Sequence, residues 1–89
     1  MELIKADYLG HRKRIKERYE TGGIKGWHDY EILEFALFYT IPRKDTKPIA
    51  KKLIEKYKSL NGVLNADKNE LDEMNILTEH SILFLNFLS

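Results

Sequence analysis

Residues 37–60 read LFYTIPRKDTKPIAKKLIEKYKSL, and the reading of the fold starts there. An apolar run arrives at Pro42, and the residue before a proline is pushed out of the helical region, so a helix coming from the N-terminal side must stop. Asp45 then stands where a helix N-cap belongs, and Pro48 falls in the first turn, where its missing N–H costs nothing. Beyond it Ile49, Ala50, Leu53, Ile54 and Tyr57 recur on one helical face, while Lys47, Lys51, Lys52, Lys56 and Lys58 take the others. Two helices joined by so short a turn fold back on each other. Their apex carries Arg43, Lys44 and Lys47 together.

Upstream, Ile4, Tyr8, His11, Ile15 and Tyr19 step by three and four residues, a stripe along one helix, with Arg12, Lys13, Arg14, Lys16 and Arg18 between them. Gly22-Gly23 supplies the positive-φ stop expected just past a helix C-terminus. Asp29 is positioned to cap a second helix over 30–40, apolar from Ile32 to Tyr39 except for Glu34. A helix greasy on all sides belongs at the buried centre of a bundle. Trp27, after the glycine turn, either plugs the bundle end or stacks on a nucleobase.

Downstream, Ser59 to Ala66 reads as a short connector with Leu60, Val63 and Leu64 turned inward. Asp67-x-x-Glu70 has the spacing of a capping box and opens a helix to about Met74. Thr78 caps a last helix, strongly apolar to the end. A weak repeat at an offset of 33 matches Ile41 with Met74, Asp45 with Thr78, Ile49 with Ile82, Ala50 with Leu83 and Ile54 with Phe87. Nothing reads as a strand. The expected fold is all-α: one domain over 1–89, a bundle of about five helices with two helix–hairpin–helix-like units turning near 41–45 and 75–78.

Eighty-nine residues support a single core. With no cysteine there is neither a disulfide nor a thiolate metal site, and a reducing, cytoplasmic setting is expected. The longest apolar stretch, Ile82 to Leu88, is far short of the ~20 residues that span a bilayer. The first residues lack the apolar segment of a signal peptide. Net charge is +1, but residues 1–58 carry 14 Lys/Arg against 9 Asp/Glu, whereas residues 59–89 carry one lysine against five acids. Such asymmetry points to one side for a polyanion and another for something else. Two differently decorated solvated surfaces fit the same count.

GHRKRIKERY at 10–19, the Gly22-Gly23 stop, DYEILEFALFY at 29–39, IPRKDTKPIAKKLIEKY at 41–57 and SLNGVLNA at 59–66 together resemble the N-terminal domain of RadC-type proteins. The resemblance covers essentially the whole chain in unbroken order, and IPRKDTKPIAKKL is its most specific piece. It implies a bacterial helix–hairpin–helix domain, associated by family name with DNA repair. Such a domain normally precedes a JAB-type metal-dependent domain, which is absent here; the chain ends where the linker towards it is expected. No hydrolytic activity of that second domain transfers to these residues.

DNA-binding hairpins usually let glycine backbones approach a phosphate at a helix N-terminus, where the dipole favours an anion. Related hairpins often read Gly-x-Gly where this chain has Ile76-Leu77-Thr78, and Glu79 adds negative charge. The second hairpin is therefore a poor phosphate site. The first also lacks glycine, and Asp45 competes for the helix N-terminus, but Arg43, Lys44, Lys47 and Lys51 compensate, arginine as a bidentate clamp and lysine as a point charge. Arg12 and Arg14 of the basic first helix complete the expected DNA-contacting set. Each of these cations reads equally as a solubilising residue.

His11, His28 and His80 are scattered, without HExxH spacing or a cysteine partner, so no metal, cofactor or catalytic residue is expected. A Schiff-base role for Lys47 would need a distant catalytic aspartate and a flipped-base pocket. The expected function is a non-catalytic domain that binds DNA weakly and without sequence preference. A rival reading is a protein-interaction module that docks the absent domain or a second copy, since Ile82, Leu83, Phe84, Leu85, Phe87 and Leu88 exceed what one helix face can bury. No membrane and no small-molecule substrate are expected.

Overall fold

The computed structural model describes the chain from Glu2 to Ser89, with side chains from Leu9 onward. Ile4 and Tyr8 of the first apolar stripe lie outside the described side chains. Among the described residues six helices follow in order: α1 (Glu2–Gly22), α2 (Asp29–Leu37), α3 (Lys47–Tyr57), α4 (Leu60–Leu64), α5 (Lys68–Glu73) and α6 (Glu79–Leu88). No strand occurs among the described residues. The sixth helix, α4, is the connector around Val63, which becomes a single helical turn because Ser59 Oγ accepts the Gly62 N–H at 3.0 Å. Gly62 is required there: a Cβ would run into the Tyr57 carbonyl oxygen.

α2 is central, as its composition demands. Leu33 and Leu37 are fully buried on one side, among Ile49, Ala50 and Leu53 of α3, Val63 of α4, Leu71 of α5 and Ile82 and Leu85 of α6. On the other side Phe38 meets Ile15 of α1 and Trp27, with Ile32 and Phe35 against them. An amphipathic helix could serve only one of these cores. Trp27, 9% exposed, plugs the end between α1 and α2.

The helix ends correct several expectations. The Gly23 N–H bonds the Tyr19 carbonyl at 2.8 Å with φ +66°, as the double glycine implied. Asp29 does not cap its own helix; its Oδ2 accepts the Leu60 N–H at 2.8 Å, tying α2 to α4. Glu31 instead reaches back to the His28 N–H at 2.9 Å. Asp45 Oδ1 accepts the Lys47 N–H at 3.1 Å, while Thr46 occupies the N-cap position itself. Asp67 makes no cap bond, and Glu70 accepts from the Tyr57 hydroxyl at 3.0 Å rather than closing a capping box. Burial and that carboxylate raise the Tyr57 phenol above its usual range. Thr78 caps α6 as expected, accepting the Ser81 N–H at 3.0 Å.

The two helix–turn–helix units, α2–α3 and α5–α6, are related at an offset of 32, not 33. Arg43 (φ +64°) corresponds to Asn75 (φ +56°), both left-handed, and Thr46 to Thr78, both N-caps. Ala50 and Leu53 then correspond to Ile82 and Leu85, all four buried. The offset of 33 fails because it pairs buried Ala50 with Leu83, which is 64% exposed. The units are joined by a partly buried hydroxyl relay: Ser81 Oγ donates to Thr40 Oγ1 at 2.8 Å and lies 2.9 Å from Thr78 Oγ1.

Candidate nucleic-acid interface

The site is built at the turn between α2 and α3. α2 has no basic residue in its last turn, and carbonyls at a helix C-terminus lack intrahelical donors. Arg12 of α1 supplies both the charge and the donors. Its Nη1 donates to the Phe38 carbonyl at 3.2 Å, and its Nη2 to the carbonyls of Ile41 at 2.5 Å and Lys44 at 2.6 Å. The guanidinium carbon also lies 4.6 Å from the centre of the Phe38 ring. A planar fork of donors suits this convergence of acceptors in a way an ammonium does not.

Two residues beneath the turn complete the support. Glu34, 1% exposed, accepts from or donates to His11 Nε2 at 2.7 Å, and its backbone carbonyl accepts the Thr46 hydroxyl at 3.2 Å. The one acidic residue of the apolar run 32–39 thus connects α1, α2 and the start of α3. Nearby, Arg18 Nη1 donates to Glu31 Oε2 at 2.7 Å. The Arg18 bond, with help from the His28 N–H, holds the Glu31 carboxyl below the ordinary range.

Above this frame, Arg43 and Lys44 are exposed, with Arg43 in the left-handed conformation that a glycine would adopt more easily. Lys47 is half-buried at the start of α3, and Lys51 sits one turn on, its Nζ 5.0 Å from the centre of the Tyr30 ring. The four are gathered at one end of α3. Arg12 reaches the same turn from beneath, facing its backbone. Arg14 is exposed but two residues along α1 from Arg12, about 200° around the helix, so it points away from the side that holds the turn. Of the six expected contacts, Arg43, Lys44 and Lys47 share the apex, Arg12 supports it, Lys51 reaches from α3 over Tyr30 at the start of α2, and Arg14 lies elsewhere.

The ion pairs among the described residues are His11–Glu34 and Arg18–Glu31. None of Arg43, Lys44, Lys47, Lys51, Lys52, Lys56 or Lys58 is in either, so the α3 side presents its positive charge to solvent. Asp45 tempers it at the helix N-terminus. Among the described residues no group of three or more His, Cys, Asp or Glu is placed to hold a metal ion, and no helix is long and apolar enough to cross a membrane.

Tyr39 escaped the sequence reading. It is 67% exposed, just past the end of α2, while Trp27, for which plugging the bundle end and stacking on a base were both open, is buried as a plug. The signal was available in part: the helix expected over 30–40 stops at Leu37, and Tyr39, the last residue of the apolar run 32–39, falls in the turn beyond it, where it is easiest to leave uncovered.

The chain is similar to a UPF0758 protein of Fusobacterium nucleatum subsp. nucleatum, 51% identical over 86 residues and covering 97% of this chain and 37% of that protein. It is also similar to a UPF0758 protein of Ruegeria pomeroyi, 44% identical over 78 residues, covering 88% of this chain and 35% of the relative. The chain therefore spans little more than a third of the length of these curated relatives. No family model matches it. No solved structure matches it.

Proposed function

We propose that this chain is the N-terminal helix–hairpin–helix domain of a RadC-like protein and acts as a non-catalytic module that holds DNA by its backbone. The observation that carries this reading is the apex itself: Arg43 and Lys44 exposed on a turn braced from beneath, Lys47 and Lys51 behind them, and no ion pair among the described residues to neutralise them. Lysine and arginine on phosphates position a duplex without reading it. The cations sit on a turn and the first turns of α3 and are suited to phosphate oxygens rather than to base edges, so binding is sequence-independent. With four to six phosphates engaged, the log–log salt slope is about −4 to −5, and the dissociation constant falls in the non-specific range of ~10⁻⁴–10⁻⁶ M at physiological salt. Replacing Arg43, Lys44 and Lys47 together with glutamate should abolish binding to labelled duplex DNA in an anisotropy titration. Circular dichroism should stay unchanged, because all three lie on the turn or the first turn of α3. Unchanged affinity would clear the apex.

A second reading has its own observation. On α6, Leu83, Phe87 and Leu88 are 64%, 82% and 45% exposed. An apolar ridge of this kind on a small domain marks a protein contact. Sedimentation equilibrium over a wide concentration range tests its self-association form: a strict monomer at the highest concentration removes a second copy as the partner.

A further inference from the structure

Beside the apex, between α1 and the end of α2, lies a cavity of about 370 Å³ lined by Lys16, Tyr19, Glu20, Phe35 and Tyr39. Its size is at the lower end of the ~300–1,000 Å³ of small-ligand sites. Three of its five lining residues are aromatic. The Tyr19 and Phe35 ring centres are 5.3 Å apart, and Phe35 meets Tyr39 edge-to-face at 5.8 Å and 66°. An edge-to-face neighbour covers at most one face of a ring, which agrees with Tyr39 remaining two-thirds exposed.

We propose that this cleft takes an unpaired nucleobase, stacked on Tyr39, from a single strand whose phosphates lie on Arg43, Lys44 and Lys47. The proposal rests on the DNA-binding reading above and names the form of DNA that the site prefers. Stacking on aromatic rings accepts any base, because every base has a π-face, and it combines with a cationic track for the backbone. Tyr39 and Arg43 are four residues apart, so their Cα atoms are separated by no more than about 14 Å. A single strand of a few nucleotides spans that distance. Their relation is also fixed: the carbonyls of Phe38 and Ile41, on either side of Tyr39, are both held by Arg12, and the Tyr39 N–H bonds the Ala36 carbonyl at 3.3 Å. A platform ordered before binding loses little entropy on binding. Glu20 decides between base and phosphate as the occupant. Its carboxylate repels a phosphate but accepts from an exocyclic amine, with Lys16 at the same rim to balance its charge.

The test uses a single-stranded oligothymidylate carrying one 2-aminopurine, a duplex of equal length and a single strand of abasic residues. Anisotropy gives the affinity for each, and 2-aminopurine quenching reports stacking. Wild type should bind the base-bearing single strand about tenfold more tightly than the abasic one, with quenching, within the range of one base–aromatic stack. Tyr39→Ala should lose that tenfold and the quenching while keeping its abasic and duplex affinities; Tyr39→Phe should keep both. Equal binding of base-bearing and abasic strands by wild type, or an unaffected Tyr39→Ala variant, overturns the base cleft. If the triple glutamate variant still fails to bind any of the three, the backbone reading survives that result. Retention of all binding by the triple variant, or no binding by wild type, overturns both.

Discussion

Replacing Arg12 with methionine should destabilise the domain by about 2–4 kcal/mol, read as a lowered urea midpoint at unchanged slope. Methionine keeps much of the aliphatic stem, so the loss isolates the guanidinium. Without it the carbonyls of Phe38, Ile41 and Lys44 lose their donor, and each buried acceptor left unmade costs about 1–3 kcal/mol. Lys44 lies at the exposed end, where water replaces the donor cheaply, which keeps the total below a simple sum. The cation over the Phe38 ring adds about 0.5–2 kcal/mol. Arg12→Lys should recover less than half of the loss, because one ammonium cannot fork to carbonyls that arginine reaches from two nitrogens. Full recovery by lysine would show that charge alone, and not geometry, holds the turn.

The second large effect concerns Glu34 and His11. Removing the imidazole with His11→Ala should cost about 3 kcal/mol, because it leaves a 1% exposed carboxyl without its 2.7 Å partner. The measurement that separates this from lost packing is a double-mutant cycle with Glu34→Met. Glu34→Met alone strands an imidazole that is still about one-third exposed, so it should cost less than His11→Ala. The double variant His11→Ala/Glu34→Met should cost clearly less than the sum of the two single losses, since with both polar groups gone no buried carboxyl is left without a partner. A cycle with no coupling between the sites would remove Glu34 from the frame that supports the apex.

Periodicity and helix-end chemistry made much of the fold legible. Pro42 and Pro48 set the limits of the first hairpin, the double glycine ended α1, and Thr78 opened α6, because each acts within one turn of its own backbone. The apolar stripe of α3 and the all-round greasiness of α2 determined which faces are buried, since only a helix between two cores needs apolar residues on every side. The cationic apex was equally readable: a short turn brings its own residues together whatever surrounds it.

What the sequence could not show depends on partners far along the chain. Asp29 had the spacing of a cap for its own helix, yet its carboxylate bonds Leu60, because the preceding His28–Glu31 bond already serves the start of α2. Arg12 read as one more cation of a basic helix until the carbonyls of 38, 41 and 44 converged on it. Glu34 looked like an anomaly in an apolar run, and only the approach of α1 supplied His11. The same approach buried Trp27 as the plug of the bundle end and left Tyr39 exposed. Sequence by itself determined five of the six helices, their order and the basic turn, since those follow from contacts within a few residues. The tertiary structure decided which charges support the turn, which face solvent and which ring borders the apex, because burial and long-range hydrogen bonds exist only after α1 has docked on α2.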